Sequence, residues 1–177
     1  MSKTILVTGG SRGIGRAVAV LAGKRGWRVA ITYVANEQAA AETVAAIEAA
    51  GGSGLAIKAD AAKLDDVAKC FDAAEKAFGP VDGCVNNAGV ATQVSKLADK
   101  DPAEMARMVE INVLGALYGA REAARRMSKS RGGNGGVIVN MSSAAARLGT
   151  RARRRHGGGR GAGRGGLGGV GHGGWQA

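Results

Sequence analysis

The run Thr4-Ile5-Leu6-Val7-Thr8-Gly9-Gly10-Ser11-Arg12-Gly13-Ile14-Gly15 decides how the rest of the chain reads. Residues 4–8 are apolar or β-branched and read as a strand. Glycines then break it, and Ile14 opens an Ala- and Val-rich segment with helical spacing. Glycines at such a junction permit a tight turn and let backbone N–H groups approach a pyrophosphate. A helix that starts there aims its unpaired N–H groups and the positive end of its dipole at the same point. A glycine-rich loop alone is common. Its position between a strand and a helix turns the reading toward a nucleotide.

Working outward, the same grammar repeats to residue 149. Strands are expected at 4–8, 28–33, 54–59, 81–85 and 136–141, and helices at 14–25, 37–50, 64–78 and 102–127. Several strands are apolar almost throughout, as strands covered on both faces must be. Gly26, Gly51-Gly52 and Gly79-Pro80 stop the first three helices. Asn36 and Asp101 stand at N-cap positions, and Pro102 suits a first helical turn. Alternating strands and helices imply an α/β fold with a parallel sheet.

Composition narrows the class further. With 177 residues, 45% hydrophobic and only 3% aromatic, the chain has material for one core built from Val, Ile, Leu and Ala. The net charge of +11 is not evenly spread. Residues 150–177 carry six arginines and no acid, which leaves 11 − 6 = +5 on residues 1–149. Cys70 and Cys84 sit in apolar company and read as buried, reduced thiols. The apolar run before Gly9 is too short for a signal peptide, and no stretch approaches a membrane span. A cytoplasmic protein without a membrane partner or a metal site is the expectation.

Downstream motifs then appear in a recognisable order. Thr8-Gly9-x-x-x-Gly13-x-Gly15 is followed by Asp60 after the third strand and Asn86-Asn87-Ala88-Gly89 after the fourth. Asn112 lies inside the long helix, and Ser142-Ser143 close the fifth strand. Each has a plainer reading: Asp60 as a helix cap, Asn86-Asn87 as a turn, Ser142-Ser143 as a polar strand end. Taken together and in order, they resemble the short-chain dehydrogenases/reductases, in particular the glucose 1-dehydrogenase-like and 3-oxoacyl-carrier-protein-reductase-like members.

That resemblance implies a Rossmann-type doubly wound parallel sheet, cut to about five strands of the family's seven. It implies hydride transfer between NADP(H) and a small-molecule carbonyl or secondary alcohol. It assigns Gly9, Ser11, Gly13, Ile14 and Gly15 to the pyrophosphate and Arg12 to the adenosine 2′-phosphate. Asp60 with Ala61 falls to the adenine, and Asn87, Ala88 and Gly89 to the cofactor wall. Ser143 becomes the catalytic serine, and Asn112 the residue that orders a relay water. NAD-preferring members carry an acid at the end of the second strand. Here that position is Tyr33, so NADP(H) is the expected cofactor, with NAD(H) possible. The resemblance also implies a homo-oligomer formed through the helices after strands four and five, of which this chain shows only the first.

The family's Tyr-x-x-x-Lys pair would fall near residues 156–157, where His156 and Gly157 stand. No Tyr follows Tyr118 and no Lys follows Lys129. His156 and Arg160 share that spacing, a coincidence in so glycine-rich a segment. A nucleotide-binding chain without catalysis is therefore the competing reading. Residues 150–177, with 12 Gly and six Arg, read as a disordered tail outside the 1–149 domain. They fit an out-of-frame translation of G+C-rich DNA best. A plain flexible extension and an RGG-like nucleic-acid arm are the other readings.

Overall fold

Thr4, Leu6 and Val7 are fully buried and Ile5 nearly so. A strand buried on both faces needs a layer on each side. Both layers are present in the computed structural model, which describes residues 2–91 and 95–144. In chain order the elements are β1 (Thr4–Val7), α1 (Gly13–Gly23), β2 (Arg28–Tyr33), α2 (Glu37–Ala49), β3 (Ser53–Lys58), α3 (Leu64–Phe78) and β4 (Gly83–Asn86). After a short 3-10 turn come α4 (Pro102–Val109), a π-helical turn (Glu110–Leu114), α5 (Gly115–Met127), a second 3-10 turn and β5 (Val137–Asn140).

The strands form one parallel sheet in the order β3-β2-β1-β4-β5. Register places Leu6 between Ala30 and Cys84. This is the doubly wound Rossmann-type α/β fold expected from the chain, with five strands. Side-chain alternation sorts β1 into two cores. Ile5 and Val7 join Val29, Ile31, Ala19, Ala22, Ala40 and Ile47 under α1 and α2. Leu6 joins Ala30, Cys84, Phe71, Ala74, Ala123 and Met127 under α3 and α5.

Local chemistry sets the helix ends. The Asn36 side chain accepts from Ala39 N at 2.9 Å, and Asp101 accepts from Ala103 N at 2.9 Å. Such caps satisfy donors that the first helical turn leaves open. At the far end of α3, Gly79 takes φ +82°, a conformation that a side chain would strain.

The long helix expected over 102–127 is interrupted. At its middle the Gly115 N–H reaches back to the Glu110 carbonyl, an i→i−5 bond, so Glu110–Leu114 form a π-helical turn. The reason is tertiary. Asn112 is drawn to the β4 loop on one side, while Gly115 abuts Ala61, with the Ala61 carbonyl 3.0 Å from where a Cβ would stand. An apolar pattern of period 3.6 is blind to that insertion.

Past α5 the chain returns to the sheet. Asp82 accepts from Val137 N through its carbonyl, and Met141 N donates to the Asn86 carbonyl. Among the described residues β5 pairs with β4 alone, and Val137 and Val139, on one face of the sheet, are 63% and 44% exposed. The tail read as disordered, with His156 and Arg160, lies outside the described residues. No helix among the described residues is long and apolar enough to cross a membrane.

Candidate cofactor groove

The strand order reverses direction between β1 and β4, which leaves a crevice beyond their carboxyl ends where nucleotides bind in open α/β sheets. The glycine run leaves β1 into that crevice. It is held there by side chains just past β1 and β4, from β2 and from α2. The Thr8 hydroxyl accepts from the backbone N–H groups of Asn87 and Ala88, each at 3.0 Å. In return the Asn87 carboxamide donates to the carbonyls of Thr8 and Gly9 at 2.9 and 3.1 Å. From β2, the Thr32 hydroxyl accepts from Gly9 N at 3.0 Å. From α2, the Thr43 hydroxyl lies 3.3 Å from the Ser11 carbonyl.

Two glycines are required by this geometry. Gly9 turns at φ +67°, and an added Cβ would lie 3.0 Å from the Ala88 Cα. At Gly15 a Cβ would collide with the Asn87 amide nitrogen and come within 2.5 Å of the Gly9 carbonyl. Gly13, at φ +56°, has open space in front of it.

The N-terminus of α1 is left open. Its N-cap is Arg12, with extended backbone and no side-chain cap, and no acid occupies the first turn. The corresponding ends of α2 and α4 are closed by Asn36 and Asp101. An α-helix leaves its first N–H groups without intrahelical partners and carries partial positive charge there. Open space at Gly13, uncapped donors and glycines packed to the backbone fit a diphosphate. Ile14 is 61% exposed at the same mouth.

Beyond the loop, β2 ends at Tyr33, whose carbonyl accepts from Ala59 N at 2.8 Å. This brings the β3 exit, with Asp60 and Ala61, beside the β2 exit. The Asp60 carboxylate accepts from Ala62 N at 3.0 Å and from the Arg107 guanidinium of α4 at 2.6 Å. Burial pushes its carboxyl up. The Arg107 hydrogen bond, the Ala62 amide and the positive charges of Arg107 and Lys63 outweigh burial and hold it below the ordinary value.

On the β4 side, Asn112 clasps Val90 at both ends of its carboxamide. Oδ1 accepts from Val90 N and Nδ2 donates to the Val90 carbonyl, both at 2.9 Å. The side chain therefore steadies the segment after Gly89, and one donor and one acceptor of its amide are committed there. Ser143 stands exposed three residues beyond β5. The strand that precedes it is tied to β4 by an amide pair, Asn86 buried and Asn140 exposed. Asn86 Nδ2 donates to Asn140 Oδ1 at 2.9 Å and to the Ala116 carbonyl at 3.0 Å. Gly119 leaves room for this, because a Cβ there would overlap the Asn86 carboxamide.

The fold thus gathers Gly9, Gly15, Asn87 and Ala88 into one bonded unit and sets Gly89 against Asn112. Ser11, Arg12, Gly13 and Ile14 line the open end of α1. Tyr33, Asp60 and Ala61 mark the far side of the crevice. Thr32, Thr43 and Arg107 went unnoticed in the sequence, where threonine in a strand or arginine on a helix carries no signal. Cys70 and Cys84 are buried free thiols, and burial pushes both up to about 12, which disfavours the thiolate.

A family profile described as short chain dehydrogenase matches residues 3–162, running on past Gly149. The chain belongs to the short-chain dehydrogenase/reductase family. It is 41% identical over 145 residues to an uncharacterized oxidoreductase, YgfF, of Escherichia coli strain K12, covering 82% of this chain and 59% of that protein. A Burkholderia cenocepacia short chain dehydrogenase in complex with NADP superposes with a TM-score of 0.75 at 36% identity, covering 84% of this chain and 58% of that one. A reductase described as NADH-dependent and complexed with NAD gives a TM-score of 0.76 at 26% identity, over 85% and 63%. The chain therefore spans about three fifths of the length of these relatives.

Proposed function

We propose that the chain is the cofactor-binding portion of an NADP(H)-dependent oxidoreductase acting on a small-molecule carbonyl or secondary alcohol. The observation that carries this reading is the uncapped N-terminus of α1, opened by Gly13 and held in the crevice by Asn87. In this reading the backbone of Gly9, Ser11, Gly13, Ile14 and Gly15 binds the diphosphate, and Arg12 binds the adenosine 2′-phosphate. Tyr33 borders the ribose without the acid that would repel that phosphate. Asp60 and Ala61 meet the adenine, while Asn87, Ala88 and Gly89 form the wall beside the nicotinamide.

When bound, the nicotinamide supplies or takes up the hydride. Ser143 then hydrogen-bonds the substrate oxygen, where negative charge develops during reduction. The role of Asn112 is to fix the Gly89–Val90 wall and the π-helical turn that frames a relay water. A proton for the alkoxide must come from a general acid, which typically contributes about 10²- to 10⁴-fold. Serine is too weak an acid to be that source at neutral pH, so the 177 residues supply binding and orientation more completely than proton transfer.

Calorimetric titration of the chain with NADPH and NADH tests the proposal. Saturable binding of NADPH, tighter than that of NADH, is the expected result. No binding of either nucleotide overturns it.

A further inference from the structure

We propose that Arg107 is a positioning residue for adenine recognition. It holds the Asp60 carboxylate in one orientation and so makes the chain select a purine that donates a hydrogen bond at position 6 over one that accepts there. This inference rests on the cofactor reading above and deepens it.

Asp60 is fixed at three points. Its backbone N–H donates to Asp66 Oδ2 at 3.0 Å, its Oδ1 accepts from Ala62 N at 3.0 Å, and its Oδ2 accepts from Arg107 Nη2 at 2.6 Å. Without the Arg107 bond, the Ala62 N–H alone in this set holds the carboxylate, and Oδ2 loses the partner that fixes it. Arg107 is itself steadied, because its second nitrogen donates to Glu110 Oε2 at 3.2 Å where the π-helical turn begins. The line Asp60–Arg107–Glu110 thus ties the exit of β3 to the helix that carries Asn112.

The chemistry of the anchored group follows. A carboxylate is an acceptor only, with about four lone-pair directions. Ala62 and Arg107 take two of them, and the Asp60 side chain keeps 17% of its surface exposed. In this proposal the directions that remain offer the crevice a fixed acceptor. It complements the exocyclic amino group of adenine and opposes the carbonyl of hypoxanthine. Charge acts in the same direction. Burial disfavours ionisation of Asp60, whereas the Arg107 hydrogen bond, the Ala62 amide and the charges of Arg107 and Lys63 favour it, and the balance holds its carboxyl below the ordinary value. Arg107 has a side chain 43% exposed, and an ion pair so exposed adds little to stability. Its removal should therefore show in ligand choice rather than in folding.

The test is a pair of titrations on the full chain, with NADPH and with its hypoxanthine analogue, which carries oxygen in place of the 6-amino group. The wild type is expected to prefer NADPH by about 10-fold or more, the scale of one hydrogen bond to a charged group. Arg107→Met should bring the two ligands to within a few-fold while melting as cooperatively as wild type. Arg107→Lys, which keeps the charge but loses the planar fork, should retain an intermediate preference. Should Arg107→Met fail to melt cooperatively, Arg107→Ala carries the same expectation. A wild-type preference retained in these variants but lost in Asp60→Asn overturns the role of Arg107 and leaves the cofactor reading standing. Failure of the wild type to bind NADPH at all overturns both.

Discussion

Asn87 fills the space that a side chain at position 15 would need. Its carboxamide reaches across from β4 to the carbonyls of Thr8 and Gly9, and Gly15 is the residue whose missing Cβ lets it pass. Gly15→Ala should therefore lower the melting temperature and weaken NADPH binding together. Overpacking a tight site costs about 1–3 kcal/mol. Adding Asn87→Ala should not restore binding, because the Gly9 carbonyl stands 2.5 Å from the same methyl position. Thermal melts and calorimetry on the single and double variants check both halves. Wild-type affinity in the Gly15→Ala variant would show that this contact is slack.

Cofactor preference turns on Arg12 and Tyr33. Arg12 caps α1 with its side chain free of any capping bond, and no acid closes the end of β2. Arg12→Ala is expected to reduce the ratio of NADPH to NADH affinity by about 10-fold, the value of one charged hydrogen bond. Tyr33→Asp should push the ratio further toward NADH by repulsion of the 2′-phosphate. Equal affinities of the wild type for the two nucleotides would defeat this assignment.

Alkali should destabilise the fold through its two thiols. Burial raises Cys84 to about 12, and burial with the nearby Asp66 charge raises Cys70 to about 12, from an ordinary value of 9.0. A folded value above the unfolded one means that the folded state holds its proton longer. This contribution is complete below pH 9 and lost as pH climbs toward 12, at up to about 1.4 kcal/mol per pH unit for each thiol. Cys84→Ala should flatten that decline by roughly half, read as urea midpoints at about pH 8 and about pH 10.5. A wild-type midpoint indifferent to this interval would contradict it.

Among the described residues β5 is an edge strand of the sheet, and it exposes Val137 and Val139 on one face. Such an edge is a template for pairing with another chain. The 177-residue protein is expected to self-associate on concentration, and Val139→Lys should reduce this without altering NADPH affinity. Light scattering and sedimentation distinguish the two proteins. A monodisperse wild-type monomer with a cooperative melt would rule the edge out as a liability.

Binding and turnover should separate in this chain. With no Tyr after Tyr118 and no Lys after Lys129, NADPH is expected to bind while carbonyl reduction stays at background. Absorbance assays of NADPH oxidation with a panel of ketones and aldehydes measure it. Turnover abolished by His156→Ala would show that His156 serves as the acid, against the reading of its spacing as coincidence. Sequencing the coding DNA past codon 149 is a separate check: an alternative frame encoding Tyr-x-x-x-Lys is expected there.

The unbroken apolar run of β1, the Gly9–Gly15 run and the caps at Asn36 and Asp101 are local features, which is why the strands, the helix starts and the glycine loop could be read along the chain. Element ends shifted by a residue or two, as at β4, expected over 81–85 and found at Gly83–Asn86. The partners of those local features are another matter. Thr32 lies 23 residues from Gly9, Arg107 lies 47 from Asp60, and Asn140 lies 54 from Asn86. A hydroxyl, a guanidinium or an amide shows nothing in sequence of what it will meet, because its hydrogen bond depends on the register of the sheet and the crossing of helices. The π-helical turn is the sharpest case. Residues 102–127 keep a helical period throughout, and only the pull of Val90 on Asn112 and the contact of Gly115 with Ala61 insert the extra residue into the turn.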